Sequence, residues 1–363
     1  MVNIFQSGLC PIGIDVGTHA LRMVQFRASG RELGLQAACR IELDSLDAGA
    51  ADAARAAAAV RHGLAGQDFR GRSVVLALPV SRVHAKSVRL PPMPDSDLHQ
   101  ALQWEARDRF GFDIGDGTGQ LAWFRAGEIR RGTEVKDEIL LFAVEAAVLN
   151  EYVQGLAALG LRLAAIDLGP CAIHRALCRG GAGAAPAALS AVLDIGHAGS
   201  QFFMVRGEEL VFYKHIEIGG KTFNEAVAGK LGISVSEALQ MRARMLVQPA
   251  EDAAPLTQAV ADAMRAPLEE LARELDMCLR YYVVTFRGTR PESLAVVGRQ
   301  AGAAPLRESL SAALGLPVME AQPFRGVRDL GAAARPDRSG EWAVAAGLSL
   351  YPPGTRAGLE AAA

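Results

Sequence analysis

Short apolar runs separated by glycine- and serine-bearing turns open the chain, and the same order returns about half a chain later. Residues 12–16, 21–26 and 33–43 read as three successive strands. An alanine-rich stretch, 47–64, reads as a helix ending near Gly66, and 73–78, stopped by Pro79, as a buried parallel strand. The second copy repeats this: 192–195, 201–205 and 210–216 are strands, and a helix starts near Thr222. Helical periodicity continues over 231–244, with Ser234 or Ser236 as cap, and over 256–286, interrupted at Pro267. Leu268, Leu271, Leu275, Leu279 and Tyr282 fall on the core face of that last helix. A strand at 293–297, a helix at 305–314, a strand at Val318 and a helix at 343–350 finish the pattern.

Between the copies the pattern changes. Residues 84–90 alternate polar and apolar, so they form a half-buried strand. Pro91-Pro92-Met93-Pro94 makes a stiff turn, and Asp95 or Ser96 caps a helix over 98–110. Strands at 121–124 and 138–144, a helix at 147–159 and a strand at 161–166 complete a compact α+β insertion, left through a helix at 170–177. The glycine- and alanine-rich segment 179–188 reads as a flexible linker. The organisation is a first lobe (1–80 and 167–188), an inserted α+β subdomain (81–166), a second lobe (189–350) and a disordered tail (351–363).

The candidate chemistry lies in the turns. Gly13-Ile14-Asp15-Val16-Gly17-Thr18 and Val192-Leu193-Asp194-Ile195-Gly196-His197 each deliver an Asp from a strand, then a glycine turn and a second strand. A glycine lets backbone N–H groups approach an anion, and the neighbouring carboxylate can hold a cation or its water shell. Thr18 adds a hydroxyl and Arg22 a cation, and Ser200 supplies the hydroxyl where His197 stands in the second copy. Such a duplication predicts a two-lobed nucleotide fold with phosphates between the lobes. Gly219-Gly220-Lys221, at a helix mouth, offers N–H groups to a phosphate or simply turns the chain. The strand ending at Gly298 would back the adenosine, but a second glycine is replaced by Arg299, which either blocks the base or stacks on it.

Composition narrows the class. A chain of 363 residues, half of them hydrophobic, supports two to three domains. A net charge of −2 argues against nucleic acid as a partner. Five scattered cysteines without a C-x-x-C pair suit reduced thiols and offer no zinc site. No segment reaches the ~20 apolar residues of a membrane span, and residues 1–8 lack the pattern of a signal peptide. The reading is a cytoplasmic protein without direct membrane insertion, so that any membrane link comes from a partner.

Two lobes, each with an Asp-x-Gly hairpin, and an adenosine strand resemble the actin, Hsp70 and sugar-kinase superfamily. The α+β insertion after Pro79 resembles its FtsA and PilM branch, and within it the PilM family of type IV pilus assembly, also called competence proteins. The resemblance implies an actin-like, ribonuclease H-like α/β fold. It implies ATP and Mg²⁺ bound by Asp15, Gly17, Thr18 and Arg22, where the family usually has Lys, and by Asp194, Gly196, Ser200, Gly219, Gly220, Arg242, Gly298 and Arg299. Asp15, Asp167 and Asp194 would lie near the metal. The family's Ala-Glu-x-x-Lys ribose motif reads here Ala238-Leu239-Gln240-Met241-Arg242. It further implies binding of the cytoplasmic N-terminus of a PilN-like inner-membrane protein beside the insertion, together with other pilus platform and motor proteins. The role is a scaffold, at most a slow ATPase. The rivals are an FtsA-like filament former, a type II secretion scaffold with a degenerate nucleotide site and a small-molecule kinase. The apolar-poor tail argues against the first, and the missing general base against the last.

Overall fold

The apolar runs at the start of the chain pair as an antiparallel meander whose first strand also takes a parallel neighbour. The computed structural model describes residues 8–30, 32–43, 52–112, 119–179, 188–246, 254–329 and 336–352. Strands β1 (Gly8–Leu9), β2 (Ile12–Val16), β3 (Ala20–Ser29) and β4 (Glu32–Glu42) are followed by helix α1 (Asp52–Gly66) and strand β5 (Ser73–Ala77). β3 pairs antiparallel with β1, β2 and β4, while β5 lies parallel to β2. Small side chains at Ala53, Ala56, Ala59, Val60 and Gly63 form the buried face of α1, letting it sit close on the sheet. The expected start of this helix at 47–51 lies outside the described residues.

The insertion is a second, smaller layer. β6 (His84–Leu90), α2 (Asp95–Phe110), β7 (Gly119–Arg131) and β8 (Glu134–Glu145) make a three-stranded antiparallel sheet ordered β6-β8-β7. α2 begins at Asp95 behind Pro94, so neither Asp95 nor Ser96 is its cap: proline's fixed φ sets the helix entry without a side-chain bond. β8 is buried on both faces, with a strict alternation. Ile139, Leu141 and Ala143 meet α2, while Leu140 and Phe142 meet the second lobe.

Helix α3 (Ala146–Ala157), strand β9 (Arg162–Ile166) and helix α4 (Gly169–Cys178) follow. The insertion was expected to reach residue 166. In the structure β9 pairs parallel with β5 and α3 packs into the first-lobe core, so the separate sheet ends at Glu145. Amphipathic periodicity identified both elements but carries no information on which sheet they join. The linker residues 180–187 and the tail residues 353–363 lie outside the described residues.

The second lobe repeats the topology of the first. β10 (Leu189–Ile195), β11 (Ser200–Arg206) and β12 (Glu209–Ile216) form the meander. Helices α5 (Gly220–Leu231), α6 (Val235–Met245) and α7 (Ala254–Phe286), strand β13 (Leu294–Val297), helix α8 (Ala304–Leu314) and strand β14 (Val318–Glu320) complete the lobe. β13 runs parallel to β10 as β5 does to β2, and β14 parallel to β13 as β9 does to β5. The 231–244 helix begins later than expected. Gly232 closes α5 in the left-handed region, and Ser234 caps α6 through a reciprocal bond with Glu237, leaving Ser236 inside the first turn. α7 runs through Pro267 without the expected interruption. Val260, Met264, Leu268 and Leu271 are buried on both sides of it, and that burial offsets the lost backbone bond.

The chain then returns to the first lobe. β15 (Val327–Arg328) pairs with β4, a 3₁₀ turn spans Pro336–Trp342, and α9 (Ala343–Ser349) lies against β2 and α4. α9 is almost wholly buried, and glycines permit its approach. A Cβ on Gly347 would overlap the Ala172 carbonyl, and one on Gly13 the Ala345 carbonyl. Ser349 Oγ donates to the Pro11 carbonyl at 2.9 Å and accepts from Phe26 N at 3.0 Å. Replacing Gly347 by alanine is expected to cost about 2–3 kcal/mol. The check is urea unfolding, where the midpoint should fall with an unchanged slope.

Candidate functional site

The two hairpins present their carboxylates at the same register. In β2–β3, Asp15 sits opposite Arg22 and beside Ala77 of β5. In β10–β11, Asp194 sits opposite Gln201 and beside Val297 of β13. Each Asp is one residue from the end of its strand, so both project where the parallel strands finish, the usual ligand edge of an open α/β sheet. The glycine two residues on is required by the turn itself. A Cβ on Gly17 would stand 2.7 Å from the Ala20 carbonyl oxygen, and one on Gly196 the same distance from that of Gly199.

A single cleft is lined by Asp15, Gly17, Thr18 and Arg22 from the first lobe and by Asp194, Gly196, Gly220, Gly298 and Arg299 from the second, with Asp167 between them. Burial raises the pKa of Asp15, against the pull of Arg22. Burial and then the nearby Asp15 charge push Asp194 up to about 6, while Arg22 and Gln201 oppose the rise. Gly298 has φ of +93°, and a Cβ there would overlap the Ile195 carbonyl, so the β13 turn is pressed directly onto β10.

Several expected residues take other roles. Ser200 is fully buried and its hydroxyl donates to the Ile218 carbonyl at 2.6 Å, so it does not replace a cleft hydroxyl. Gly219 and Gly220 do not present free N–H groups. Gly220 N donates to the Gly196 carbonyl at 2.9 Å, Lys221 N to that of His197 at 2.8 Å, and Gly219 N to Thr222 Oγ1 at 3.3 Å. The start of α5 is spent on docking against the β10–β11 turn, and Gly220 contributes only space. Asp167 accepts from Arg175 at 2.9 Å and from Leu168 N at 2.8 Å, which ties its carboxylate to α4. Among the described residues no three His, Cys, Asp or Glu side chains come together as a ligand group, so Asp15, Asp167 and Asp194 do not form one. Arg242 lies behind the cleft wall, bonded to Gly220, Asn224 and Gln300.

Other cleft residues were not legible as such. Glu341, buried on the returning 3₁₀ turn, lies 3.8 Å from Arg22 Nε and 3.5 Å from Arg40 Nε, and Arg22 also lies 3.4 Å from Asp15. His19 and His197, one from each hairpin, stack with centroids 4.6 Å apart. Gln201 donates to Asp194 at 3.2 Å and accepts from the Tyr213 hydroxyl at 3.1 Å. Its position seven residues after Asp194, matching Arg22 after Asp15, was the available signal.

These residues fit a magnesium nucleotide. Two half-buried carboxylates, the charge of Asp15 raising the proton affinity of Asp194, suit a divalent cation. Mg²⁺ is ordinarily held by one or two carboxylates, its remaining positions going to water and phosphate oxygens. Asp194 yields a pH test. Its folded pKa is raised, so its contribution is full below the ordinary aspartate value and is lost as pH rises through about 6. Asp194→Asn should therefore be more stable than wild type at pH 7.5 by roughly 1–2 kcal/mol, discounted for the carboxylate's partial access to solvent. The gain should vanish near pH 4 in urea melts run without divalent cation.

A family model described as type IV pilus assembly protein PilM matches residues 13–351. Among solved structures, a PilM-PilN type IV pilus biogenesis complex superposes with a TM-score of 0.74 at 23% identity, covering 94% of this chain and 97% of that one. The ethanolamine utilization protein EutJ from Carboxydothermus hydrogenoformans gives a TM-score of 0.54 at 16% identity, with coverage of 97% and 93%. No curated protein matches in sequence. The fold is accordingly the actin-like ATPase fold. Among the described residues no helix is long and apolar enough to cross a membrane. The duplicated hairpins, the insertion and the family match lead to one conclusion: the chain belongs to the PilM family of type IV pilus assembly proteins.

Proposed function

We propose that the protein is a nucleotide-responsive scaffold of a type IV pilus assembly platform. ATP with Mg²⁺ would sit between the lobes, and the cytoplasmic N-terminus of a PilN-like membrane protein would bind beside the inserted sheet. The observation that carries the nucleotide half is the pair of equivalent hairpins that bring Asp15 and Asp194 to one cleft. The partner half rests on family membership and on the likeness to the PilM-PilN complex.

Bound nucleotide supplies negative charge and a cation that only a closed cleft can meet from both sides. Asp15 and Asp194 would hold the cation's shell, and Thr18 and the two turns would meet the phosphates. Arg22, between Asp15 and Glu341, would link phosphate charge to the returning turn. A contiguous route leads from the cleft to the insertion. Asp194 bonds Gln201, Gln201 bonds Tyr213, and the Tyr213 ring packs edge-on against Phe142 of β8 at 5.0 Å. Closure would thereby shift the surface offered to the partner, and hydrolysis is not required.

Calorimetry should show micromolar Mg-ATP binding in the wild type and none in Asp15→Ala. Absence of binding in the wild type would leave a rigid adaptor on an inherited fold. A synthetic N-terminal peptide of a PilN-like protein should bind with an affinity that ATP changes about 5-fold or more. Tyr213→Phe, which keeps the ring and removes the link to Gln201, should reduce that change while ATP affinity stays within about 3-fold of wild type.

A further inference from the structure

Behind the wall of the cleft lies a buried cation whose hydrogen-bond partners among the described residues are neutral. Arg242 of α6 is 5% exposed. Its guanidinium donates to the Gly220 carbonyl at 3.2 Å, to Asn224 Oδ1, and to Gln300 Oε1 at 2.7 Å, and it lies over the Phe223 ring. Burial, with the nearby Arg299 charge, lowers its pKa to about 10, which still leaves it charged at neutral pH. An apolar side chain would fill this space at less electrostatic cost.

The arrangement settles the orientation of two amides. A guanidinium has only donors, so any amide facing it must present its oxygen. Turning either amide over would set N–H against N–H. The oxygens of Asn224 and Gln300 are therefore committed to Arg242, and their NH₂ groups stand on the other side of each amide. Asn224 and Gln300 both line the cleft, whereas Arg242 does not. Gln300 follows Gly298 and Arg299 at the end of β13, and Asn224 lies in the first turns of α5, so the two come from separate walls.

We infer that Asn224 and Gln300 are ligand-binding residues, each donating an amide N–H to an acceptor of the nucleoside, a ribose oxygen or a ring nitrogen. Arg242 is the positioning residue that turns both donors toward the cleft. This rests on the nucleotide reading above. It replaces direct contact by Arg242 with contact through the amides that it orients, and it gives the cleft a donor wall where the resemblance implies a carboxylate.

Gln300→Glu and Asn224→Asp test the assignment. Each keeps an oxygen toward Arg242 and adds a counter-charge for the guanidinium, so a purely structural amide would be replaced without loss. Each also exchanges the donor facing the cleft for an anionic oxygen. The full chain of each variant should melt at or above the wild-type temperature yet bind Mg-ATP at least 10-fold more weakly by calorimetry. Arg242→Lys, whose head is also donor-only, should retain more affinity than Arg242→Met. Wild-type affinity in both carboxylate variants overturns the inference alone, provided that Asp15→Ala abolishes binding. A fall in melting temperature that tracks the loss of affinity also overturns it, since the amides would then be structural. No Mg-ATP binding by the wild type overturns both this inference and the nucleotide half of the proposed function.

Discussion

Two like-charged carboxylates brought out of water into one cleft are the constraint around which the molecule is organised. Asp15 and Asp194 are each held by a strand register and opposed by a side chain on the neighbouring strand, Arg22 in one lobe and Gln201 in the other. Neither partner cancels the cost of burial, since both carboxyls keep raised pKa values. A site that is electrostatically incomplete by itself gains most from a bound cation, and two lobes that each supply one carboxylate can share it only by coming together. On the proposed function, the response would reside in the same groups that would bind the ligand.

The inserted sheet is mechanically part of this arrangement. Phe142 and Leu140 on one face of β8 share a core with Phe203, Val205 and Leu210 of the second lobe. Glu138, at the start of the same apolar run, is buried with Arg89 at 2.7 Å, and Arg89 reaches the Tyr281 hydroxyl of α7 at 2.8 Å. Arg89 belongs to the insertion itself, so the bonds that cross to the second lobe are those of Tyr281, which accepts from Arg89 and donates to Glu138 at 3.3 Å. The sheet thus packs on the second lobe, although the chain enters it from the first.

The two sides of the cleft are built differently. On the first-lobe side, charge is balanced by short networks such as Arg22, Glu341 and Arg40. On the second-lobe side, Arg299 lines the cleft and the buried Arg242 lies behind its wall. The Arg40 hydrogen bond chiefly lowers the pKa of Glu42, and Arg299 adds to that pull from the second lobe, so its charge is felt across the cleft. Beside Arg299 the wall turns through Gly298, which holds a left-handed conformation.

Much of this was legible in the chain itself, because strand alternation, helical periodicity and glycine turns are local. The two meanders, the Asp-x-Gly hairpins and the order of nearly all elements follow from those signals. So do the residues that the turns carry into the cleft: Asp15, Gly17 and Thr18, Asp194 and Gly196. What sequence could not settle was allegiance and partnership. Whether α3 and β9 join the insertion or the first sheet, whether α7 survives Pro267, and whether the α5 N–H groups face a ligand or a carbonyl depend on what packs alongside. The same holds for Asp167 bound to Arg175, for Ser200 turned to Ile218, and for Glu341 between two arginines. Local pattern decides what each segment is. Tertiary structure alone decides which segments meet, because a buried polar group takes its role from whichever partner satisfies it, and that partner comes from elsewhere in the chain.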